Sequence, residues 1–226
     1  MHGLRPLRRG LPARRPAPAR AGARGRGRAA VNGATTVSLV GVGGQGILLG
    51  AAVLAATAAA AGLEVKASEV KGMAQRGGSV LSTVRFGEHV WSPLSRSADV
   101  VIATELLEGV RALDMLARGG TLVCAATTRI PPGSVLRGEE AYPDDLEERA
   151  AAQRVRLIAL DAEGLARQAG SVRSVNIVLL GAASHVLPFS DEQWQAGLAA
   201  AVPARVLEVN QRAFALGRDA VQEVGS

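Results

Sequence analysis

A strand, a glycine-rich turn and a helix in direct succession restrict the fold of this chain more than any other feature. Residues 36–40 (TVSLV) are rich in β-branched side chains, and the turn GVGGQG follows at residues 41–46. An Ala-rich apolar stretch then runs to about Ala61, Gly62 ends it, and residues 63–70 have the pattern of a second strand. This order predicts a βαβ unit, whose two strands form a parallel pair joined by a right-handed crossover.

Further strand patterns extend this unit. Residues 79–86 alternate in polarity and reach a turn at Gly87-Glu88, so that with residues 89–91 they predict an antiparallel hairpin. Shorter apolar runs predict additional strands at residues 99–103, 121–125 and 154–160. The sheet is therefore expected to be mostly parallel with one antiparallel hairpin.

Helical patterns alternate with these strands. They predict helices at residues 105–118, 161–169, 175–187 and 205–221. Gly119-Gly120 should end the first of these, and Ser190 and Gln193 form a capping box before a helix that carries Trp194. In a chain of 226 residues, this alternation predicts one α/β domain, a Rossmann-like three-layer sandwich.

The apolar stretch at residues 47–63 is nearly long enough for a transmembrane helix. It consists mostly of alanine, which adds little hydrophobicity, and it begins inside the glycine-rich turn. A helix that is apolar on all sides is also typical of a buried crossover helix. We therefore expect a buried helix, a soluble protein and no membrane partner.

Composition limits the cofactors that this chain can hold by itself. Cys124 is the only cysteine, which excludes an intrachain disulfide and any iron–sulfur cluster or structural zinc held by this chain alone. Cys124 is expected to be a small core residue. His89 and His185 lack the spacing of metal ligands, so no metal site is predicted. A reducing cytoplasm is the expected location.

The net charge of +6 is concentrated at the amino terminus. Residues 1–30 contain nine of the 26 basic side chains and no acidic one, which leaves 17 basic against 20 acidic side chains in the remainder. This mildly acidic remainder, with few aromatic residues, argues against a nucleic-acid-binding domain.

We predict that residues 1–33 form a disordered Arg/Pro/Gly-rich tail and that residues 34–223 form the folded domain. A tether to nucleic acid or to an acidic membrane is one hypothesis for the tail. The favoured hypothesis is that the translation start is assigned too early and that Val31 is the true initiating residue, translated as methionine.

The glycine-rich turn allows two interpretations. In the first, its backbone approaches a phosphate at the amino end of the following helix, and Glu69 or Glu64 holds a ribose. In the second, the glycines form a tight structural turn, and the polar groups lie at a protein interface. Spacing alone leaves both interpretations open. The residues concerned are Gly41, Gly43, Gly44, Gln45 and Gly46.

A second polar cluster, SEVKGMAQRGGS, occupies residues 68–79 after the second predicted strand. Because the carboxyl ends of parallel strands face one crevice, we expect Glu69, Gln75 and Arg76 to converge near the glycine-rich turn. A carboxylate, an amide and a guanidinium can together orient a polar or anionic ligand. The alternative is a solvated loop, which leaves Gly77-Gly78 unexplained.

These motifs together resemble the gamma-type domain of 2-oxoacid:ferredoxin oxidoreductases. The similar segments are GVGGQGILL (41–49), SEVKGMAQRGGSVLSTVRFG (68–87), SPL (92–94), ADVVIATELLEGVRAL (98–113), Tyr142-Pro143 and NIVLLGA (176–182). The resemblance covers roughly residues 36–220 and implies two sets of site residues. The catalytic candidates are Glu69, Gln75 and Arg76. The candidates for cofactor binding or an interface are Gly41, Gly43, Gly44, Gln45, Gly46, Met73, Gly77 and Gly78.

The resemblance also implies a division of labour. The complete enzyme converts a 2-oxoacid to an acyl-CoA and passes two electrons to ferredoxin. Thiamine diphosphate, Mg²⁺ and iron–sulfur clusters belong to a large alpha subunit, so this chain should bind none of them alone and should be inactive alone. CoA is a co-substrate. Arg76 would bind either a phosphate of CoA or the carboxylate of the oxoacid. Glu69 would orient Arg76 or contact the cofactor region.

The motifs are most similar to the branch of the family that acts on aryl-2-oxoacids such as indolepyruvate. Pyruvate and branched-chain 2-oxoacids remain alternative substrates. Two other functions stay open: a free-standing dinucleotide-dependent oxidoreductase, which would not explain Arg76, and a regulatory module whose tail binds nucleic acid.

Overall fold

The computed structural model describes residues 33–71, 78–139 and 141–224. Within these residues, six strands form one sheet in the order β2-β3-β1-β4-β5-β6. The strands are β1 Thr35–Val42, β2 Glu64–Lys71, β3 Ser79–Gly87, β4 Ala98–Ala103, β5 Leu116–Ala125 and β6 Arg156–Leu160. β1, β4, β5 and β6 are parallel, whereas β3 is antiparallel to both β1 and β2.

Helices cover the sheet on both sides. They are α1 Ile47–Ala60, α2 Leu106–Arg111, α3 Gly133–Leu136, α4 Leu146–Ala152, α5 Ala162–Ala169, α6 Val175–Ala183, α7 Asp191–Ala201 and α8 Ala204–Val224. Side chains of α1 and α5–α8 pack on one face around Val37 and Leu39. Side chains of α2 and α4 pack on the other face around Val101 and Leu122. The predicted Rossmann-like three-layer α/β fold is thereby confirmed.

The prediction that β1 and β2 form an adjacent pair is wrong. The two strands run in the same direction, but β3 lies between them and pairs with both over eight positions. The predicted hairpin partner of β3 is also wrong, because residues 89–91 form no strand and β3 pairs instead with β2. The choice between neighbouring partners depends on contacts distant in sequence, which local alternation does not encode.

The helix predicted at residues 105–118 is much shorter than expected. α2 ends at Arg111, a 3₁₀ turn covers Leu113–Met115, and β5 begins at Leu116. The register of β5 against β4 shifts between the pairs Ala98↔Leu116 and Val100↔Thr121. Gly119, with φ 77°, lies in this β-bulge. Gly119-Gly120 therefore forms part of a β-bulge in β5 and does not end a helix.

Other local predictions hold more closely. One face of α1 is buried between the sheet and α7, with Val53 and Leu54 inaccessible to solvent, whereas Leu48, Ala52, Ala59 and Ala60 are exposed, so the predicted burial holds for part of the helix. In the part of the chain that the structure describes, no helix combines the length and apolarity needed to cross a membrane. The capping box predicted at Ser190 and Gln193 is present at the start of α7. α6 is buried along its whole length but ends four residues before the predicted Leu187.

Candidate functional site

The candidate site lies where the connections of the sheet change direction. β1 and β4 are adjacent and parallel, but α1 follows β1 onto one face and α2 follows β4 onto the other. In open α/β sheets, the crevice between the carboxyl ends of such strands is the usual ligand position. Here it is bordered by residues 41–46 after β1 and by Thr104 and Glu105 after β4.

Gln45 fills the gap between these two strand ends. Its Oε1 accepts hydrogen bonds from the Val42 backbone N–H at 2.7 Å and from the Thr104 hydroxyl at 2.8 Å. Its Nε2 donates to the Thr104 carbonyl oxygen at 3.0 Å. The side chain therefore joins the end of β1 to the end of β4.

Two glycines of the turn are required by close packing. A Cβ on Gly41 would lie 2.0 Å from Thr104 Oγ1 and 2.9 Å from Gln45 Oε1. Gly46 caps α1 with φ 73°, and a Cβ there would lie 2.9 Å from Nδ2 of Asn176. These contacts support the structural interpretation of Gly41 and Gly46.

The other two glycines form the open part of the turn. The backbone N–H of Gly43 donates to the carbonyl oxygen of Gly78 at 2.9 Å, which ties the turn to the residue just before β3. Gly44 is exposed with φ 104°, and no heavy atom lies within 4 Å of a Cβ placed on it. Backbone at this point is therefore accessible to another molecule.

Asn176 joins the amino end of α6 to the amino end of α1. Its Nδ2 donates to the Gly46 carbonyl oxygen at 2.8 Å, and the residue is only 1% exposed. Its Oδ1 is buried and has no hydrogen-bond partner among the described residues. Asn176 therefore packs against the glycine-rich turn through a contact 130 positions away in sequence.

Two carboxylates, Glu105 and Glu108, lie at the amino end of α2 beside the crevice. Glu105, 1% exposed, accepts from the backbone N–H groups of Glu108 and Ile130, and burial raises the pKa of its carboxyl. Glu108 accepts from the Ser79 hydroxyl and from Arg111 at 3.0 Å. The pair thus connects α2 with the start of β3 and with the segment after β5.

The structure places the remaining predicted residues as follows. Glu69 lies in β2 with an exposed side chain, and the strand register places it level with Leu39 of β1, with β3 between them, about 10 Å across the sheet and short of the turn. Glu64 lies at the opposite, amino end of β2, so it cannot hold a ribose at the carboxyl edge. It accepts a hydrogen bond from the Val90 backbone N–H, and this bond lowers the pKa of its carboxyl. Met73, Gln75, Arg76 and Gly77 lie outside the described residues.

Sequence reasoning overlooked Thr104 as the partner of Gln45, and it assigned no role at the site to Glu105 and Glu108. Two acids directly after an apolar strand were the available signal, because a strand end borders the crevice. Cys124 is buried, and burial raises the pKa of its thiol to about 12, as suits a core residue. Within residues 33–71, 78–139 and 141–224, no three His, Cys, Asp or Glu side chains could together hold a metal ion.

Removing the Gln45 side chain should destabilise the domain. Gln45→Ala deletes one hydrogen bond to Val42 of β1 and two to Thr104 after β4, so we expect the free energy of unfolding to fall by about 2–3 kcal/mol. Urea denaturation of both proteins measures this change. Gln195→Ala, which removes an exposed Gln–Gln contact, is the control and should change stability by about 0.5 kcal/mol or less. Equal losses in the two variants would contradict a bridging role for Gln45.

Comparisons with known proteins give a consistent result. Residues 36–220 match the family described as pyruvate ferredoxin/flavodoxin oxidoreductase. The chain is 40% identical over 195 residues to indolepyruvate oxidoreductase subunit IorB of Thermococcus kodakarensis, an alignment that covers 83% of this chain and 96% of the relative.

Two solved structures share the fold. The gamma subunit of a keto/oxoacid ferredoxin oxidoreductase from Geobacter sulfurreducens PCA superimposes with a TM-score of 0.63 at 22% identity, covering 84% of this chain and 99% of that chain. A 2-oxoglutarate:ferredoxin oxidoreductase from Magnetococcus marinus gives a TM-score of 0.67 at 22% identity, covering 85% of this chain and 32% of that longer chain.

Proposed function

Because this chain belongs to the pyruvate ferredoxin/flavodoxin oxidoreductase family, we propose that it is the small subunit of an indolepyruvate:ferredoxin oxidoreductase. The observation that carries the proposal is the 40% identity to an indolepyruvate oxidoreductase subunit IorB along 96% of that subunit's length. The complete enzyme would oxidise an aryl-2-oxoacid and transfer the acyl group to CoA, with ferredoxin as electron acceptor.

We propose that a partner subunit holds the cofactors. A single cysteine cannot ligate an iron–sulfur cluster. By the family resemblance, thiamine diphosphate, which stabilises the carbanion formed on decarboxylation, and its Mg²⁺ would be held, together with the clusters, by a larger subunit. The chain described here would contribute binding and orientation, and it would be inactive alone.

The carboxyl edge of the sheet is the part of this chain that we place next to the reacting molecules. Gln45 and Asn176 hold the glycine-rich turn, and Gly44 presents open backbone at its tip. Arg76, in the motif that ends at Gly78, would bind the oxoacid carboxylate or a CoA phosphate. Glu69 would orient Arg76 or contact the cofactor region of the partner.

Pyruvate and branched-chain 2-oxoacids are the alternative substrates, since related domains serve those reactions. A free-standing dinucleotide-binding oxidoreductase is less well supported. In that case the crevice between β1 and β4 would have to admit a pyrophosphate, and the Gln45 side chain spans it.

Reconstitution with the large subunit of the same organism tests the function. We expect the chain alone to be inactive and the mixture to reduce ferredoxin in a reaction that needs both indolepyruvate and CoA. Pyruvate and 2-oxoisovalerate, assayed in parallel, rank the substrates. Failure of the two chains to associate, or NAD-dependent activity of the isolated chain, would overturn the proposal.

The role of Arg76 has its own test in the assembled complex. Arg76→Ala removes a charge-assisted contact, so kcat/KM should fall roughly 10- to 100-fold. A rise in KM for CoA alone would assign Arg76 to a CoA phosphate, and a rise for the oxoacid alone would assign it to the carboxylate. Arg137→Ala, which removes an exposed ion pair with Glu139, is the control and should leave both constants unchanged. Full activity of Arg76→Ala would exclude both roles.

A further inference from the structure

Glu108 is a buried carboxylate to which the proposed function assigns no task. It lies in the first turn of α2, it is 7% exposed, and both of its carboxylate oxygens accept hydrogen bonds. Oε2 accepts from the Ser79 hydroxyl at 2.5 Å, and Oε1 accepts from Nη1 of Arg111 at 3.0 Å. Replacing a buried ion pair with apolar side chains is often neutral or stabilising. Fold stability alone is therefore a weak reason for a carboxylate at this position.

Ser79 lies where β3 meets the glycine-rich turn. It is the first residue of β3, and its register partner is Val42, the last residue of β1. The preceding residue, Gly78, accepts the backbone N–H of Gly43 at its carbonyl oxygen at 2.9 Å. The turn therefore contacts two consecutive residues, and the carboxylate of Glu108 binds the second of them.

This contact reaches the turn from the face of the sheet opposite α1. Side chains alternate between the two faces along a strand, so Ser79 shares a face with Leu81, which packs on the cluster around α2. Gln45 holds the turn from the end of β4, and Asn176 holds it from the amino end of α6. The contact between α2 and β3 thus adds a support from a third direction.

The position of the Glu108 carboxylate is itself fixed by its helix. The backbone N–H of Glu108 donates to Oε2 of Glu105 at 2.8 Å, and Oε1 of Glu105 accepts from the Ile130 N–H at 3.1 Å. The Leu106 N–H donates to the carbonyl oxygen of Thr128 at 3.0 Å. Because these bonds tie the start of α2 to the segment after β5, the carboxylate presents its acceptor to β3 at a defined place.

We propose that Glu108 is a positioning residue for the reaction of the complex. Through Ser79 it fixes the glycine-rich turn, whose tip at Gly44 presents open backbone at the carboxyl edge. The inference rests on the proposed function, which places that edge next to the reacting molecules, and it adds a residue that acts through another and not on the substrate. A misplacement of about 1 Å in such a supporting element can lower a reaction rate about 100-fold.

Steady-state kinetics of the reconstituted complex test this role. Glu108→Ala removes the acceptor and should lower kcat/KM at least tenfold. Glu108→Gln keeps an oxygen that accepts from Ser79, so its kcat/KM should stay within threefold of the wild-type value. Arg111 is 44% exposed, so solvent replaces its contact in this variant. Ser79→Ala removes the donor and should also lower kcat/KM, and the double variant should lose no more than Glu108→Ala does alone.

A control separates this role from a general loss of stability. Leu198 is fully buried in α7, and Leu198→Ala destabilises the core by leaving a cavity there. Below its melting temperature this variant should keep kcat/KM within threefold of the wild-type value, because none of the contacts to the turn is changed.

Hydrogen–deuterium exchange of the full chain gives a readout that does not depend on activity. The backbone N–H of Gly43 should exchange at least fivefold faster in Glu108→Ala and in Ser79→Ala than in the wild type, because its acceptor at Gly78 is no longer held. Glu108→Gln and Leu198→Ala should exchange this N–H at close to the wild-type rate.

The outcomes distinguish the positioning role from the proposed function. An inactive wild-type complex overturns the function itself. In an active complex, an unchanged kcat/KM of Glu108→Ala, a Glu108→Gln variant that is equally impaired, or unchanged exchange at Gly43 overturns the positioning role and leaves the function intact. If Glu108→Ala does not fold, Ser79→Ala, a substitution at an exposed residue, provides the same test, and wild-type kinetics of that variant overturn the role.

Discussion

Gly217→Ala is expected to lower the free energy of unfolding by about 3–4 kcal/mol, since a methyl group would be forced into a contact that has no room for it. A Cβ on Gly217 would lie 1.9 Å from the carbonyl oxygen of Val178 and 2.6 Å from its carbonyl carbon. Both atoms are backbone atoms of α6, so no side-chain rotation relieves the overlap. The melting temperature should fall by roughly 10 °C.

The contact is reciprocal, which makes relaxation expensive. A Cβ on Gly181 of α6 would lie 2.0 Å from the carbonyl oxygen of Phe214 in α8. The two helices therefore cross with their backbones touching. To admit one methyl group, α8 must move outward along its length, and Phe214 and Ala213, both buried, lose part of their packing.

Thermal and urea denaturation measure this loss, and Gly133→Ala provides the matched control. Gly133 also lies in a helix, but a Cβ there would meet only the side-chain end of the exposed Arg137, at 2.9 Å. The control should be neutral or slightly stabilising, because alanine is the better helix former. A Gly217→Ala protein as stable as this control would show that the α6–α8 crossing adapts easily.

The elements that sequence alone predicts well are those with local causes. α1 follows from an apolar stretch bounded by glycines, and α7 from the capping box at Ser190 and Gln193. The short apolar runs became β4 and β6 within a few residues of the predicted limits. In each case the signal and the structure it produces lie within about one helical turn or one strand.

The sheet order escaped prediction because it depends on distant pairing. A βαβ pattern establishes that β1 and β2 run in the same direction, but it does not state whether another strand lies between them. β3 occupies that position through pairs such as Ser38↔Thr83 and Ser68↔Thr83, which link three segments. The same limit explains the misjudged helix at 105–118: its apolar spacing fits a helix, yet Leu116 pairs with Ala98 of β4.

The candidate site was predictable in position but not in detail. The glycine-rich turn and the carboxyl edge follow from the order of strand and helix. The role of Gln45 as a bridge depends on Thr104, 59 residues away, and the role of Gly46 depends on Asn176. Polarity suggests that such side chains face a ligand, whereas the structure gives them partners inside the protein.

Glu105→Ala should lower the free energy of unfolding by about 2–4 kcal/mol. The carboxylate accepts from the Glu108 N–H at 2.8 Å as the cap of α2, and from the Ile130 N–H at 3.1 Å. Removing it leaves both donors without this partner and loosens α2 from the segment after β5. This loss of stability is smaller than that expected on breaking a well-placed ion pair. The reason is that burying the Glu105 carboxylate already costs desolvation free energy in the wild type.

The pH dependence of Glu105→Gln distinguishes this buried cap from an exposed one. Burial, with a further contribution from the charge of Glu108, raises the pKa of Glu105 in the folded chain. The folded state then holds the proton more tightly than the unfolded state. The contribution of Glu105 to stability should therefore decrease as the pH rises from its unfolded pKa through the raised folded value.

Asp161 provides the opposite case in the same molecule. It caps α5, but its side chain is exposed, and hydrogen bonds from the Gly164 N–H and the Thr127 hydroxyl lower its pKa. Its contribution is present above the unfolded pKa and is lost as the pH falls through the folded value. Urea denaturation across acidic pH should show the stability difference between wild type and variant shrinking with rising pH for Glu105→Gln and growing for Asp161→Asn. Both acids cap helices through the same kind of hydrogen bond and differ chiefly in their access to water. If the stability difference changed with pH in the same direction for both variants, burial would not control the charge of Glu105.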